Sequence, residues 1–282
     1  MHAMKRIEVR LLFESDIPAA MQLKEAAGWN QTEADWRRLI ELEPNGCFAA
    51  IENDQLVGTT TTTCYEDDLA WIGMVLVDPQ HRRRGIATQL METALAYLNG
   101  KVATVKLDAT ADGRPVYEKF GFKTESLIER WRGAVTTGSV AREHTAINLD
   151  ALSALDRRAF SADRSRLIDY LVDDALIAPV LVKDESGSLI GYALARAGTK
   201  AFYIGPVVTT DTAQIENLLD RSLDQLNGGN VYIDFNNECG VGSGILAGRG
   251  FVKERDLIRM SRGSRSEKTS PLVIAIAGPE IG

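Results

Sequence analysis

Apolar residues recur along this chain with two periods, and the switches between them mark out elements. Arg6, Glu8 and Arg10 alternate with Ile7, Val9 and Leu11, which predicts a strand over residues 6–13. Spacings of three and four then take over, predicting a helix over 16–27 with Ser15 or Asp16 as its cap. A second helix is predicted over 32–43, capped by Thr32 and stopped by Pro44. Strands follow over 47–52, 55–65 and 69–77. The apolar run then ends at Asp78-Pro79, and a basic loop with one glycine intervenes. Beyond it Ala87, Leu90, Met91, Ala94, Leu95 and Leu98 share one helical face. A strand over 102–108, a helix over 114–120 and a strand over 122–131 complete this unit.

The same script runs again at an offset of about 130 residues, a domain-sized repeat. Gly121-Phe122 answers Gly250-Phe251, and Arg132-Gly133 answers Arg262-Gly263. The stretch from Phe48 to Gly58 answers Val180 to Gly191, and Trp71–Val77 answers Phe202–Val208. Second-half helices are expected near 151–160, 164–175, 211–226 and 239–249. The tail Pro271–Ile276 reads as one more buried strand. The Thr, Ser and Gly within Ala134–Val140 suggest a linker, so the domains are drawn as 1–134 and 140–282. The expected fold class is α/β with a mixed sheet in each half.

Composition narrows the class. The 282 residues are 45% hydrophobic and 25% charged, ordinary for packed domains. A net charge of -7 argues against a general nucleic-acid binder. Cys47, Cys64 and Cys239 form no Cys-x-x-Cys pair, and three is an odd number for a disulfide framework. His2, His81 and His144 are too scattered for a metal site. The N-terminus has no signal-peptide core and no run approaches membrane-spanning length, so a cytoplasmic protein with no membrane partner is expected.

The candidate chemistry begins at the basic loop. A strand running into a turn and then a helix aims the helix's free N–H groups at the turn, which suits an anion. Arg82, Arg83 and Arg84 add charge there, and Gly85 allows close backbone approach. The pattern Arg82-x-x-Gly85-x-Ala87 resembles the acyl-CoA signature of the GNAT family of N-acetyltransferases. Downstream, Tyr117-Glu118-Lys119-Phe120-Gly121-Phe122 resembles the family's Tyr-x-x-x-Gly-Phe ending. One departure is that Thr110 and Gly113 stand where many members carry Asn and Ala.

The resemblance implies two tandem GNAT-like domains and an acetyl-CoA co-substrate, with no metal. It assigns the pyrophosphate to Arg82, Arg83, Arg84, Gly85, Ile86, Ala87 and Thr88. It assigns the pantetheine arm to Val75, Leu76, Val77 and Thr110, in a cleft between parallel strands that splay at a bulge. A backbone N–H of Leu76 or a neighbour would polarise the thioester oxygen. Tyr117 would sit near the sulfur and protonate the leaving thiolate. An attacking alkylamine must first lose a proton, at a cost on the order of 4 kcal/mol at neutral pH. Candidate proton acceptors are Asp108, equally a cap or turn residue, and the trio Glu66, Asp67 and Asp68, which reads first as a hairpin turn of solvated acids. Trp29 and Trp36 fall in the region that shapes acceptor pockets, though core or surface packing is the first reading of each.

The second half keeps the pattern without the chemistry. Gly205 to Asp211 runs straight into a helix, without the arginines or the motif glycine. Asp211 and Glu216 stand near the phosphate position, and Leu246 replaces the tyrosine. This half is expected to be a degenerate copy that buttresses the first and walls part of its acceptor pocket. The expected activity is acetyl transfer to an amine of a small molecule or peptide. A non-catalytic acyl-CoA sensor is the alternative. A transferase using aminoacyl-tRNA is disfavoured by the acyl-CoA motif and the acidic charge.

Overall fold

The computed structural model describes residues 7–137, 147–264 and 269–282. The first half runs β1 (Glu8–Leu11), α1 (Ile17–Ala26), α2 (Glu33–Leu42), β2 (Phe48–Glu52), β3 (Gln55–Tyr65) and β4 (Leu69–Val77). It continues through α3 (Ile86–Leu98), β5 (Thr104–Ala109), α4 (Arg114–Lys119) and β6 (Lys123–Thr137). The second half comprises α5 (Leu149–Phe160), α6 (Ser165–Asp173), β7 (Val180–Lys183), β8 (Leu189–Arg196) and β9 (Phe202–Thr209). It ends with α7 (Ile215–Asp224), β10 (Asn227–Asn236), α8 (Gly244–Ala247), β11 (Val252–Gly263) and β12 (Val273–Ala275).

Most elements fall where the periodicity puts them, and three differences have identifiable causes. Asp16 stands at the N-cap of α1, yet its carboxylate binds Arg10 and the Phe13 N–H instead of capping. Ala134–Thr137, expected in the linker, continue β6 because Asn227–Asn230 of β10 offer them a pairing edge. The rest of that expected linker, 138–140, lies outside the described residues. The helix expected over 239–249 is reduced to the single turn α8. Gly240 adopts a left-handed φ of 76°, which ends the preceding 3-10 turn, and Gly242, Gly244 and Gly248 weaken the helical tendency of the residues around them.

The twelve strands among the described residues form one sheet, in the order β1-β2-β3-β4-β5-β11-β6-β10-β12-β9-β8-β7. The halves are interleaved in it. Strand β11 from the second half pairs with β5 of the first over Ile258–Gly263, and β6 of the first pairs with β10 of the second. β6 and β11 then pair with each other at the centre. Each half therefore has its sheet completed by the other's last long strand.

The helices obey the same logic. α3 covers β2–β5 through Ile86, Leu90, Met91, Ala94 and Leu98, and α7 covers its own half through Ile215, Leu218 and Leu219. On the opposite face α1 and α2 share one continuous core with α5 and α6. Buried charges cross the same boundary. Arg130 of β6 donates to both oxygens of Asp234 on β10, at 2.7 and 2.6 Å. Arg196 of β8 reaches Asp35 of α2 at 3.2 Å, and Arg38 joins Asp35 to Asp174.

The interleaving has two measurable consequences. A fragment ending at residue 137 leaves the β5 edge and the α1–α2 face uncovered, so it is expected to aggregate; a folded monomer by size-exclusion chromatography and circular dichroism would contradict the exchange. Asp234→Ala strands a buried guanidinium and is expected to cost about 3–5 kcal/mol in urea unfolding.

Candidate active site

The parallel strands β4 and β5 pair only at their beginnings, Leu69–Trp71 against Thr104–Lys106. Beyond Trp71 they separate. The separation starts at a bulge, where the β3–β4 register slips between Thr59/Leu76 and Thr61/Gly73. Met74 takes a left-handed φ of 49° there, and the Thr59 hydroxyl fixes the bend by donating to the Met74 carbonyl at 2.8 Å. The edge of β4 from Ile72 onward thus has β3 on one side and a cleft on the other. Ile72, Gly73, Met74 and Val75 form one wall, and Leu107, Asp108, Thr110 and Tyr117 form the opposite one.

The basic loop lies at the end of β4. Gly85 caps α3 with a φ of 81°, and a Cβ placed there would meet open space. Arg82, Arg83 and Arg84 are exposed around it. Arg84 is already oriented, donating to both Glu52 oxygens at 3.0 and 2.5 Å. His81 contacts Asp78 and stands 3.2 Å from Glu52. Thr88 is exposed and Ala87 half-buried. Ile86 is buried beneath α3, so only its backbone can face an anion. Leu76 is buried, and Val77 receives a 3.4 Å hydrogen bond from Arg82 Nε.

Tyr117 reaches the cleft from α4, packed edge-on against Phe122. Gly121, with a φ of 82°, ends the helical turn and sends the chain into β6. Burial alone pushes the Tyr117 phenol up to about 12, so it stays protonated near neutrality. The Thr110 hydroxyl accepts from the Gly113 N–H at 3.2 Å and thereby caps the turn before α4. Asp108 is buried with both oxygens held by Arg259, at 2.8 and 2.7 Å. Burial raises its carboxyl despite that guanidinium. Glu66, Asp67 and Asp68 occupy the turn before β4. They lie a full strand away from the basic loop, roughly 27 Å at the usual rise per residue. Glu66 pairs there with Arg157 at 2.7 Å. Trp29 lines the cleft, whereas Trp36 is wholly buried in the core.

Sequence reasoning missed Glu280. The tail beyond β12 lies across β4, where the Pro279 carbonyl accepts from Trp71 Nε1 at 3.0 Å and the Ile281 carbonyl from the Tyr65 hydroxyl at 2.7 Å. Gly73 has no side chain because the Glu280 backbone is there: a Cβ would stand 2.6 Å from the Glu280 carbonyl oxygen. The Glu280 carboxylate accepts from Gln31 at 2.8 Å and from Arg196 at 3.2 Å, and burial raises it. No local pattern in residues 277–282 distinguishes this glutamate from a surface one.

The second half repeats the splay and closes it. β9 and β10 pair in parallel at Phe202–Tyr203, and then β12 enters the gap antiparallel to both. Gly205 matches the bulge position, and a Cβ there would lie 2.1 Å from the Ile276 carbonyl. Leu246 is buried, Asp211 caps a 3-10 turn, and Glu216 pairs with Arg249.

Residues 12–122 match the acetyltransferase (GNAT) family, and residues 152–273 match an acetyltransferase (GNAT) domain. The chain belongs to the GNAT family. Both GNAT matches lie in tandem, in the order the internal repeat requires. An uncharacterised N-acetyltransferase of Bacillus subtilis, YitH, is 26% identical over 76% of this chain and 77% of its own length. A holothin acyltransferase of Pseudoalteromonas is 25% identical over 91% and 88%. The crystal structure of a candidate acetyltransferase from Pyrococcus horikoshii superposes with a TM-score of 0.79 at 22% identity, covering 100% of this chain and 99% of that one. A GNAT structure from Sphaerobacter thermophilus gives 0.64 at 15% identity, over 91% and 95%. These two share the fold. The relatives support acyltransferase activity.

Gly73→Val forces the tail off β4. It is expected to lower the thermal midpoint and to cost about 1–3 kcal/mol in stability. An unchanged midpoint would mean that the tail is not seated on the bulge.

Proposed function

We propose that the first half transfers an acetyl group from acetyl-CoA to an amine. The observation that carries this reading is that the cleft opened by β4 and β5 has Tyr117 on one wall, while the β4 edge that forms the other wall runs on into the basic turn at the start of α3. In this reading Arg82, Arg83, Arg84 and the amides of Gly85, Ile86, Ala87 and Thr88 hold the pyrophosphate. The open edge at Val75, Leu76 and Val77 pairs with the pantetheine arm as an added strand would. Thr110 borders that arm. A backbone N–H of this edge polarises the thioester carbonyl as charge develops on it.

Chemistry then proceeds by attack of the neutral amine on the thioester carbon. The tetrahedral intermediate expels the coenzyme A thiolate, which takes the Tyr117 proton, and the cationic nitrogen gives up its extra proton to restore the phenol, directly or through water. Two carboxylates border the cleft as acceptors for the proton the ammonium must lose, Asp108 and Glu280. Asp108 has both oxygens committed to a single guanidinium, whereas Glu280 is held by one amide and one arginine that also serves Asp35. Glu280 therefore gives up less on accepting a proton, directly or through water. Asp108 positions Arg259 and the wall of β5.

The test is coenzyme A release with a panel of amines. Tyr117→Phe is expected to lower kcat by about 100-fold or more while acetyl-CoA still binds. The raised Glu280 carboxyl becomes protonated as pH falls through its folded value, so kcat/KM should fall on an acid limb above the ordinary carboxylate range. That limb should vanish in Glu280→Gln and persist, at reduced rate, in Asp108→Asn. Persistence in Glu280→Gln with loss in Asp108→Asn would reverse the assignment. Tight acetyl-CoA binding without turnover of any amine would point to a sensor.

A further inference from the structure

We propose that the acceptor is an amine that also carries a carboxylate, and that Arg255 of β11 reads that carboxylate. The proposal rests on the acyltransfer reading above and names its substrate class.

Arg255 lines the same cleft as Gly73, Asp108 and Tyr117. It stands at a slip in the β11–β6 register, directly across from Arg130. The other arginines near it each own a carboxylate: Arg130 has Asp234, Arg259 has Asp108, and Arg196 has Asp35 and Glu280. Arg255 makes no ion pair among the described residues, and its Nε is buried without a hydrogen-bond partner. Burial and then the nearby Arg130 disfavour its cation, and together they outweigh Asp234 and Glu254, which favour it without forming an ion pair with it. A half-buried guanidinium in that position costs stability unless something pairs with it. The acids of the cleft already have counterions, so Arg255 supplies the net charge that a ligand would meet.

The coenzyme does not account for this arginine. Its phosphates belong at residues 82–88, beyond Val77, and none of those residues lines the cleft. What remains is the acceptor. A planar fork with a free edge matches a carboxylate through two parallel hydrogen bonds. Trp29, Leu257 and Pro279 offer apolar surface for the body of such a molecule. Arg255 belongs to the strand that the second half lends to the first, so that half would contribute specificity without binding a cofactor.

The experiment compares amino carboxylates with their carboxamides as acceptors, by coenzyme A release. Wild type should prefer the carboxylates about 10- to 100-fold in kcat/KM, mainly through KM. In Arg255→Gln that preference should collapse toward one, and in Arg255→Lys it should be intermediate. Arg132→Gln, a change at an exposed arginine of β6, should keep it. Arg255→Gln should unfold at or above the wild-type temperature, because it removes an unpaired charge. A wild type indifferent to the carboxylate, or a preference that survives Arg255→Gln, overturns the proposal. If no amine is acetylated, the acyltransfer reading fails separately. The arginine is then judged by calorimetry of N-acetyl amino carboxylates and amides on coenzyme A-saturated protein. Binding of carboxylates alone, lost in Arg255→Gln, supports it, and no binding of either contradicts it.

Discussion

A parallel strand pair that separates leaves a row of backbone N–H and C=O groups facing nothing, and those groups must find partners. This chain does it twice. β4 parts from β5 at a bulge that Thr59 pins by its hydroxyl, and β9 parts from β10 at the matching place. The second gap is filled by the chain itself, as β12. The first is left open, with a basic helix N-terminus at its end. The difference between the halves is therefore one of occupancy before it is one of catalytic residues. Once β12 fills its gap, arginines and a tyrosine have no work to do there, and Asp211 and Leu246 are tolerated.

The segment that closes one cleft also furnishes the other. From β12 the tail crosses to β4 and lays Glu280 against Gly73, the one position at the bulge without a side chain in the way. The exchange of β6 and β11 acts in the same direction, because it carries Arg255 and Leu257 to the first cleft. The second half, its own gap closed by β12, thus remains bound into the first through strands, a shared helical core and paired buried charges. Removing it would take away cleft walls along with stability.

Much of this was legible in the residues. Alternation and helical spacing locate the elements, since burial on one face imposes those periods whatever the neighbours are. The basic turn from Arg82 to Ala87, with Gly85 at the start of α3, was legible because a turn into a helix start is set by local chain only. Tyr117 was legible by its fixed distance from Gly121. Sheet order was not. β6 and β11 end equivalent repeats, so either could complete either half, and only long-range packing selects the exchange. The same packing extends β6 to Thr137 where composition suggested a linker. Glu280 and Arg255 escaped because their significance comes from the groups across from them: the backbone bare at Gly73, and the carboxylate that Arg255 lacks.

Calorimetric titration of acetyl-CoA into the intact chain tests this account most directly, with Gly85→Glu measured alongside. One site per chain, lost in the variant, is the predicted result. Two sites would contradict closure of the second cleft by β12, and a single site that survives Gly85→Glu would contradict the assignment of the first.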